Sequence, residues 1–159
     1  MKMIRRRQVY SIAIASILLM VSGCAVNRAT ASLTPGADLS KINSIYVLKS
    51  SEDERDINQL IKENLIRRGY AVTTGLDPKP TAKVDTVLTY ADKWFWDITM
   101  YMLELTITLR NPANNFPLAV GNSYHTSITR KSKEEMVDEV LDNIFKTAKK
   151  PSSERGREE

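Results

Sequence analysis

The run Ile98–Arg110, ITMYMLELTITLR, alternates large apolar side chains with Met, Glu and Thr. A period of two belongs to an extended strand, whose successive side chains point to opposite sides of a sheet. Tyr101, Leu103, Leu105, Ile107 and Leu109 form one face, the expected core face, and Met100, Met102, Glu104, Thr106 and Thr108 form the other. A helix cannot segregate this pattern, so the chain must build a sheet and must also supply something apolar to cover one side of it.

Two segments have the period to do so. Ser51-Glu52-Asp53-Glu54 matches a capping box, and behind it Ile57, Leu60, Ile61 and Leu65 share one helical face. Arg67 and Arg68 then suit the negative end of the helix dipole, and Gly69 is the stop. Ser132 and Glu135 give a second capping box, followed by the stripe Met136, Val137, Val140, Leu141, Ile144 and Phe145 and by Lys146, Lys149 and Lys150.

Further strands are expected at Ile42–Leu48 (INSIYVL), Tyr70–Thr74, Val84–Ala91 and Leu118–Arg130. The turn residues of Asn111–Pro117 join the last of these to Ile98–Arg110 as an antiparallel hairpin. Gly75–Pro80 reads as a loop because its prolines forbid regular structure. The resulting order is β-α-β-β-β-β-α, an α+β two-layer sandwich with one sheet and both amphipathic helices on one face. The first β-α-β unit is either a parallel crossover or a short strand at an edge, with its partner undecided.

The amino terminus has a different character. Lys2, Arg5, Arg6 and Arg7 precede the uncharged stretch Val9–Val21, a basic region followed by an apolar one, as in an export signal. Its 13 residues fall short of the roughly 20 that a membrane-crossing helix needs. Val21-Ser22-Gly23-Cys24 follows at once and resembles the lipobox of bacterial lipoproteins. That resemblance implies that the Cys24 thiol is alkylated with diacylglycerol, that residues 1–23 are cut away as a signal peptide, and that the new amine is acylated. An uncleaved anchor is the competing reading. Cys24 is the only cysteine, and once alkylated it forms no disulfide, ligates no metal and attacks no substrate. Ala25, rather than aspartate, follows it, which within that family implies transfer to the outer membrane with the domain in the periplasm; inner-membrane retention stays open.

The formal charge of +4 arises from 23 basic and 19 acidic side chains, and residues 1–23 hold four of the bases and none of the acids. The remaining chain is balanced. A nucleic-acid binder keeps a basic face after processing, so nucleic acid is not an expected partner. Residues 24–40, small and polar around Pro35-Gly36, read as a tether, residues 41–148 as one α+β domain, and residues 149–159 as a disordered tail.

Catalytic groups are sparse. His125 is the only histidine, and in the alternating run GNSYHTSIT, with Ser123 and Ser127 as same-face neighbours, it reads as a solvated or hydrogen-bonded strand residue. Neither a second histidine nor a free cysteine can join it around a metal. Asp53 with Asp56 and Asp138 with Asp142 read as helix-end or solvent-face charges. No phosphate-binding glycine loop or nucleophile elbow occurs. The expectation is a non-enzyme without a cofactor beyond the diacylglycerol and N-acyl chain on Cys24.

The candidate interface is Trp94, Phe95, Trp96 and Asp97, within a Tyr90–Asp97 segment expected to link two strands and holding both tryptophans. Consecutive aromatics at a turn suit a docking knob for a protein partner. Alternatively Trp94 and Trp96 pack under the second helix, or the segment meets a membrane at headgroup level. The lipobox, tether and element order resemble small Gram-negative envelope lipoproteins and, in fold, the amino-terminal domain of the Tol-system propeller protein and the penicillin-binding-protein activator and curli-secretion lipoproteins. The resemblance implies a lipid-anchored, non-catalytic interaction or assembly module that binds another envelope protein. The alternative function is binding or transport of an amphiphile such as lipid or lipopolysaccharide, on the Met100 and Met102 face opposite the expected core face.

Overall fold

The computed structural model describes residues 27–80 and 82–149. The expected signal peptide, Cys24 and all of the expected tail but Lys149 lie outside them. The elements are β1 Asn27–Leu33, β2 Ser44–Leu48, α1 Ile57–Arg67, β3 Ala71–Gly75, β4 Thr86–Asp97, β5 Thr99–Arg110, β6 Pro117–His125 and α2 Lys133–Lys149. The domain is mixed α+β, one six-stranded sheet with two helices, and the strands run in the order β1-β6-β5-β4-β2-β3. β2 is parallel to both β3 and β4. β4, β5, β6 and β1 are successively antiparallel.

The expected order is short by one strand. Asn27–Leu33, part of the segment expected to be a tether, pairs with β6 from Asn27 opposite His125 to Leu33 opposite Ala119. Ala31 and Leu33 pack against the core, so a sequence of small residues serves as an edge strand because α2 lies over it and leaves little room. The helix also presses close on Gly121 in β6. A Cβ there would meet Ile144 Cγ1 at 2.7 Å and Val140 Cγ1 at 2.8 Å.

β3 resolves the undecided pairing in both senses, being parallel to β2 and at the sheet edge. In β2, Ile45, Tyr46 and Val47 are all buried, as an apolar run between two neighbours requires. In α1, Ile57, Ile61 and Leu65 repeat every four residues and are fully buried, as are Met136, Val140, Leu141 and Ile144 of α2. All of them share one core with Leu88, Leu105, Ile107 and Leu109.

The start of α1 differs from expectation. Ser51 does not cap it. Asp53, which is buried, accepts hydrogen bonds from the backbone N–H groups of Arg55, Ile57 and Asn58 at 3.0–3.1 Å, and Tyr90 donates its hydroxyl to the same carboxylate at 2.6 Å. The helix therefore starts later, after Asp56 turns at φ 55. Burial pushes the Asp53 carboxyl up, but the bonds from Tyr90, Asn58, Ile57 and Arg55 outweigh it and hold it below the usual range. The second capping box forms as read: Ser132 accepts from the Glu135 N–H at 3.1 Å, and the Glu135 carboxylate accepts from the Ser132 N–H at 2.8 Å. Gly69, at φ 94, ends α1.

A bulge changes the faces of β5. Lys93 pairs with Glu104, but Trp94 pairs with Met102, leaving Leu103 without an opposite residue. The alternation inverts there. Leu105, Ile107 and Leu109 face the core as expected, yet toward the amino end the core residue is Met102, 1% exposed, while Leu103 is half-buried and Tyr101, buried as expected, lies on the opposite face beside Phe95. Met100 and Met102 therefore do not form a surface opposite the core, and the amphiphile reading loses the face that motivated it.

Candidate functional site

β4 is longer than expected. Tyr90–Asp97 is not a link between strands but the distal two thirds of β4, paired with β5 to the last residue. Asp97 pairs with Thr99 across a single residue, Ile98, which sits at φ 55. That left-handed conformation is strained for a β-branched side chain. Asn27 opposite His125 and Tyr124 opposite Glu104 set the level at which β1 and β6 stop. Trp94–Met102 projects past it as a two-stranded hairpin.

The candidate interface residues occupy this projection, but with different surroundings. Trp94 is half-buried and packs against the core. Its indole N–H donates to Asp92 at 2.5 Å, and the Arg55 guanidinium lies 4.4 Å from the centre of its ring. Trp96, on the same side of β4, is 67% exposed, and Phe95 on the other side is exposed as well. Phe95 meets the Tyr101 ring edge-on at 6.1 Å. Asp97 is half-buried beside the apex.

Sequence reasoning missed Ile98 and Ile128 as groups of the tip and placed Met100 on a different surface. Ile98, 83% exposed, and Met100 crown the hairpin. Ile128, 81% exposed, sits in the adjoining loop, which Arg130 fastens to the hairpin by donating to Thr99 Oγ1 at 2.7 Å and to the Ser127 carbonyl at 2.9 Å. Of the eight large apolar side chains exposed among the described residues, five (Phe95, Trp96, Ile98, Met100 and Ile128) gather here. The signal available in the sequence was the apolar run from Trp94 to Met100, broken only by Asp97 and Thr99. An open groove of about 710 Å³ lies behind the tip, lined by Arg55, Trp94, Met100, Arg130 and Lys133 together with Glu54, Asp56 and Glu134.

His125 is buried, not solvated. Its Nε2 lies 2.7 Å from Glu139 on α2, whose carboxylate also accepts from Ser123 at 2.5 Å and from Lys131. Burial pushes the Glu139 carboxyl up, but Lys131, Ser123 and His125 outweigh it and hold it at about 2. Ser123 and His125 bond the same carboxylate oxygen rather than each other, so no nucleophile–base pair is formed. The cluster instead ties β6 to α2. Asp138 and Asp142 act similarly between helices, Asp138 bonding Asn64 and Asp142 bonding Arg68 at 2.8 Å. Among the described residues no group of three metal-ligating side chains converges, and no helix is long and apolar enough to cross a membrane.

No protein-family profile matches the chain, and no curated protein matches it. Solved structures do. A PelC dodecamer from Paraburkholderia phytofirmans superposes with a TM-score of 0.56 at 15% identity, covering 74% of this chain and 98% of that one. A dodecamer of a PelC point variant from the same organism gives 0.55 at 11% identity, covering 77% and 97%. At these identities the likeness is one of fold: this chain contains nearly the whole PelC architecture.

Proposed function

We propose that the chain is a lipid-anchored assembly module of the cell envelope, without catalysis of its own, that works as a multimer. One observation carries this reading: β1 begins at Asn27, only three residues after the lipobox cysteine. Part of the segment expected to be a tether is thus strand, and only Ala25 and Val26 separate Cys24 from it in the sequence. A lipid on Cys24 is then joined almost directly to the edge strand of a packed sheet, which fixes the height and orientation of the domain above the bilayer. Such a connection suits a part that stands in register with its neighbours better than a receptor searching at the end of a flexible leash.

Both helices occupying one side of the sheet, in a two-layer arrangement, belong to the same reading. The opposite side of β1, β6, β5 and β4 presents Arg28, Thr30, Asn122, Thr106, Glu104, Lys93 and Thr89 as a polar surface for partners. PelC, whose fold this chain shares, forms a dodecamer, and we extend self-assembly to this chain. Ala25 supports an outer-membrane location with the domain in the periplasm. Metabolic labelling with an alkyne fatty acid tests the anchor: label is expected on the wild-type chain and absent from Cys24→Ala. An unlabelled wild-type chain would sink the proposal.

A further inference from the structure

We propose that the β4–β5 hairpin tip is a second membrane contact, inserted into the interfacial layer of the bilayer that holds the Cys24 lipid. The inference rests on the anchored reading above and adds an orientation to it.

The register supplies the first argument. Asn27 is opposite His125 and Tyr124 is opposite Glu104, while Glu104 is opposite Lys93, so β1 starts level with the base of the projecting hairpin. Chain direction matters as well: β1 runs away from the tip, so its first residue, Asn27, is at the tip end of the strand. Three residues reach at most about 10 Å. From Lys93 to Asp97 the hairpin rises about 13 Å. The layer that holds the side chains of Trp96 and Ile98 is therefore within reach of a lipid on Cys24.

Chemistry supplies the second. The tip is apolar on both of its sides, Trp96 and Met100 on one and Phe95 on the other, with Ile98 at the apex and Ile128 beside it. A protein knob that fits a pocket needs its anchors on one side, whereas an interfacial layer receives them from all sides, and tryptophan is favoured at that depth. Arg55 and Arg130 lie over the Trp94 and Tyr101 rings at 4.4 and 5.1 Å, just behind the apex. Glu54, Asp56 and Glu134 line the same groove as these cations, which leaves little net charge there. The contact is thus apolar in character and tolerant of salt.

Strain supplies the third. A β-branched residue at φ 55 is kept where Asn or Gly would relax the turn, at the position where an apolar apex reaches furthest.

Both tryptophans are in this hairpin, so intrinsic fluorescence reports on it without labels. The experiment uses the full acylated chain in vesicles of phosphatidylethanolamine and phosphatidylglycerol, doped with lipid brominated either high on the acyl chain or near its methyl end. The shallow bromines are expected to quench about half of the emission and the deep ones much less, at low and at high salt alike. Trp96→Ser with Ile98→Ser should reduce quenching at least twofold, and Phe116→Ser, at an exposed apolar site on the β5–β6 turn at the other end of the sheet, should leave it unchanged. Absence of quenching in a sample whose mass confirms acylation overturns the inference and leaves the anchored reading standing. Emission that moves to the blue without bromine quenching also overturns it, assigning the tip to contacts between copies. A mass without lipid defeats the anchored reading instead, while quenching of that sample still decides the fate of the tip.

Discussion

Asn27 stands opposite His125 in the β1–β6 ladder, and the His125 ring is bonded in turn to Glu139 of α2 at 2.7 Å. The first strand is thereby paired to one of the two β6 residues, His125 and Ser123, that a charge cluster around Glu139 fixes to the helix layer. Removing the charge at the centre of that cluster should be felt at both places. Glu139→Gln leaves Lys131 without its anion and His125 with a weaker acceptor, and is expected to lower unfolding stability by about 3 kcal/mol. Urea denaturation measures this; an unchanged midpoint and slope would contradict the role assigned to Glu139.

The same carboxylate sets an acid sensitivity. Its pKa lies near 4.5 in the unfolded chain and at about 2 in the fold, so the unfolded state takes up the proton first as pH falls. The stabilisation is complete above about pH 4.5 and declines as pH drops toward 2. Wild type should lose stability more steeply than Glu139→Gln over that window. Parallel stability–pH curves for the two proteins would argue against it.

Gly121 should not tolerate a methyl group. Ile144 and Val140 lie within 2.8 Å of where the Cβ would be, and both belong to a buried helix face. Gly121→Ala is expected to destabilise by about 1–3 kcal/mol through overpacking, read as a lower thermal midpoint. A rise in the midpoint would mean that α2 rides higher over β6 than described.

Ile98→Asn should separate stability from membrane contact. Asparagine accepts a left-handed backbone, so the variant is expected to gain about 1 kcal/mol or less in stability while losing shallow bromolipid quenching. Gains in both, or losses in both, would remove the reason given for an isoleucine at the apex.

The sequence was most legible where a periodic pattern met a packed surface on one side. Ile57, Ile61 and Leu65, and Val140, Leu141 and Ile144, announced their helices because each stripe faces a single core. Leu105, Ile107 and Leu109 announced their strand for the same reason. Legibility failed at Leu103, where an extra residue inverts the alternation without any local sequence mark, and moved Met102 from the imagined outer face into the core. It failed again at Asn27–Leu33, because an edge strand under a closely packed helix needs small residues, and small residues also compose tethers. In the aromatic segment, the core packing expected of both tryptophans is found for Trp94 alone. Trp94 packs on the core while Trp96 is exposed, since β4 continues past the point where the helices stop covering it. The Asp53 cap was hidden by distance: Tyr90, which completes it, is 37 residues away.

The most direct test of the central claim is native mass spectrometry of the protein extracted gently from membranes. The expected result is a chain that begins at Cys24, carries a diacylglycerol and an N-acyl group, and assembles into a multimer of one defined stoichiometry. A monomer that still bears residues 1–23 and no lipid would contradict it.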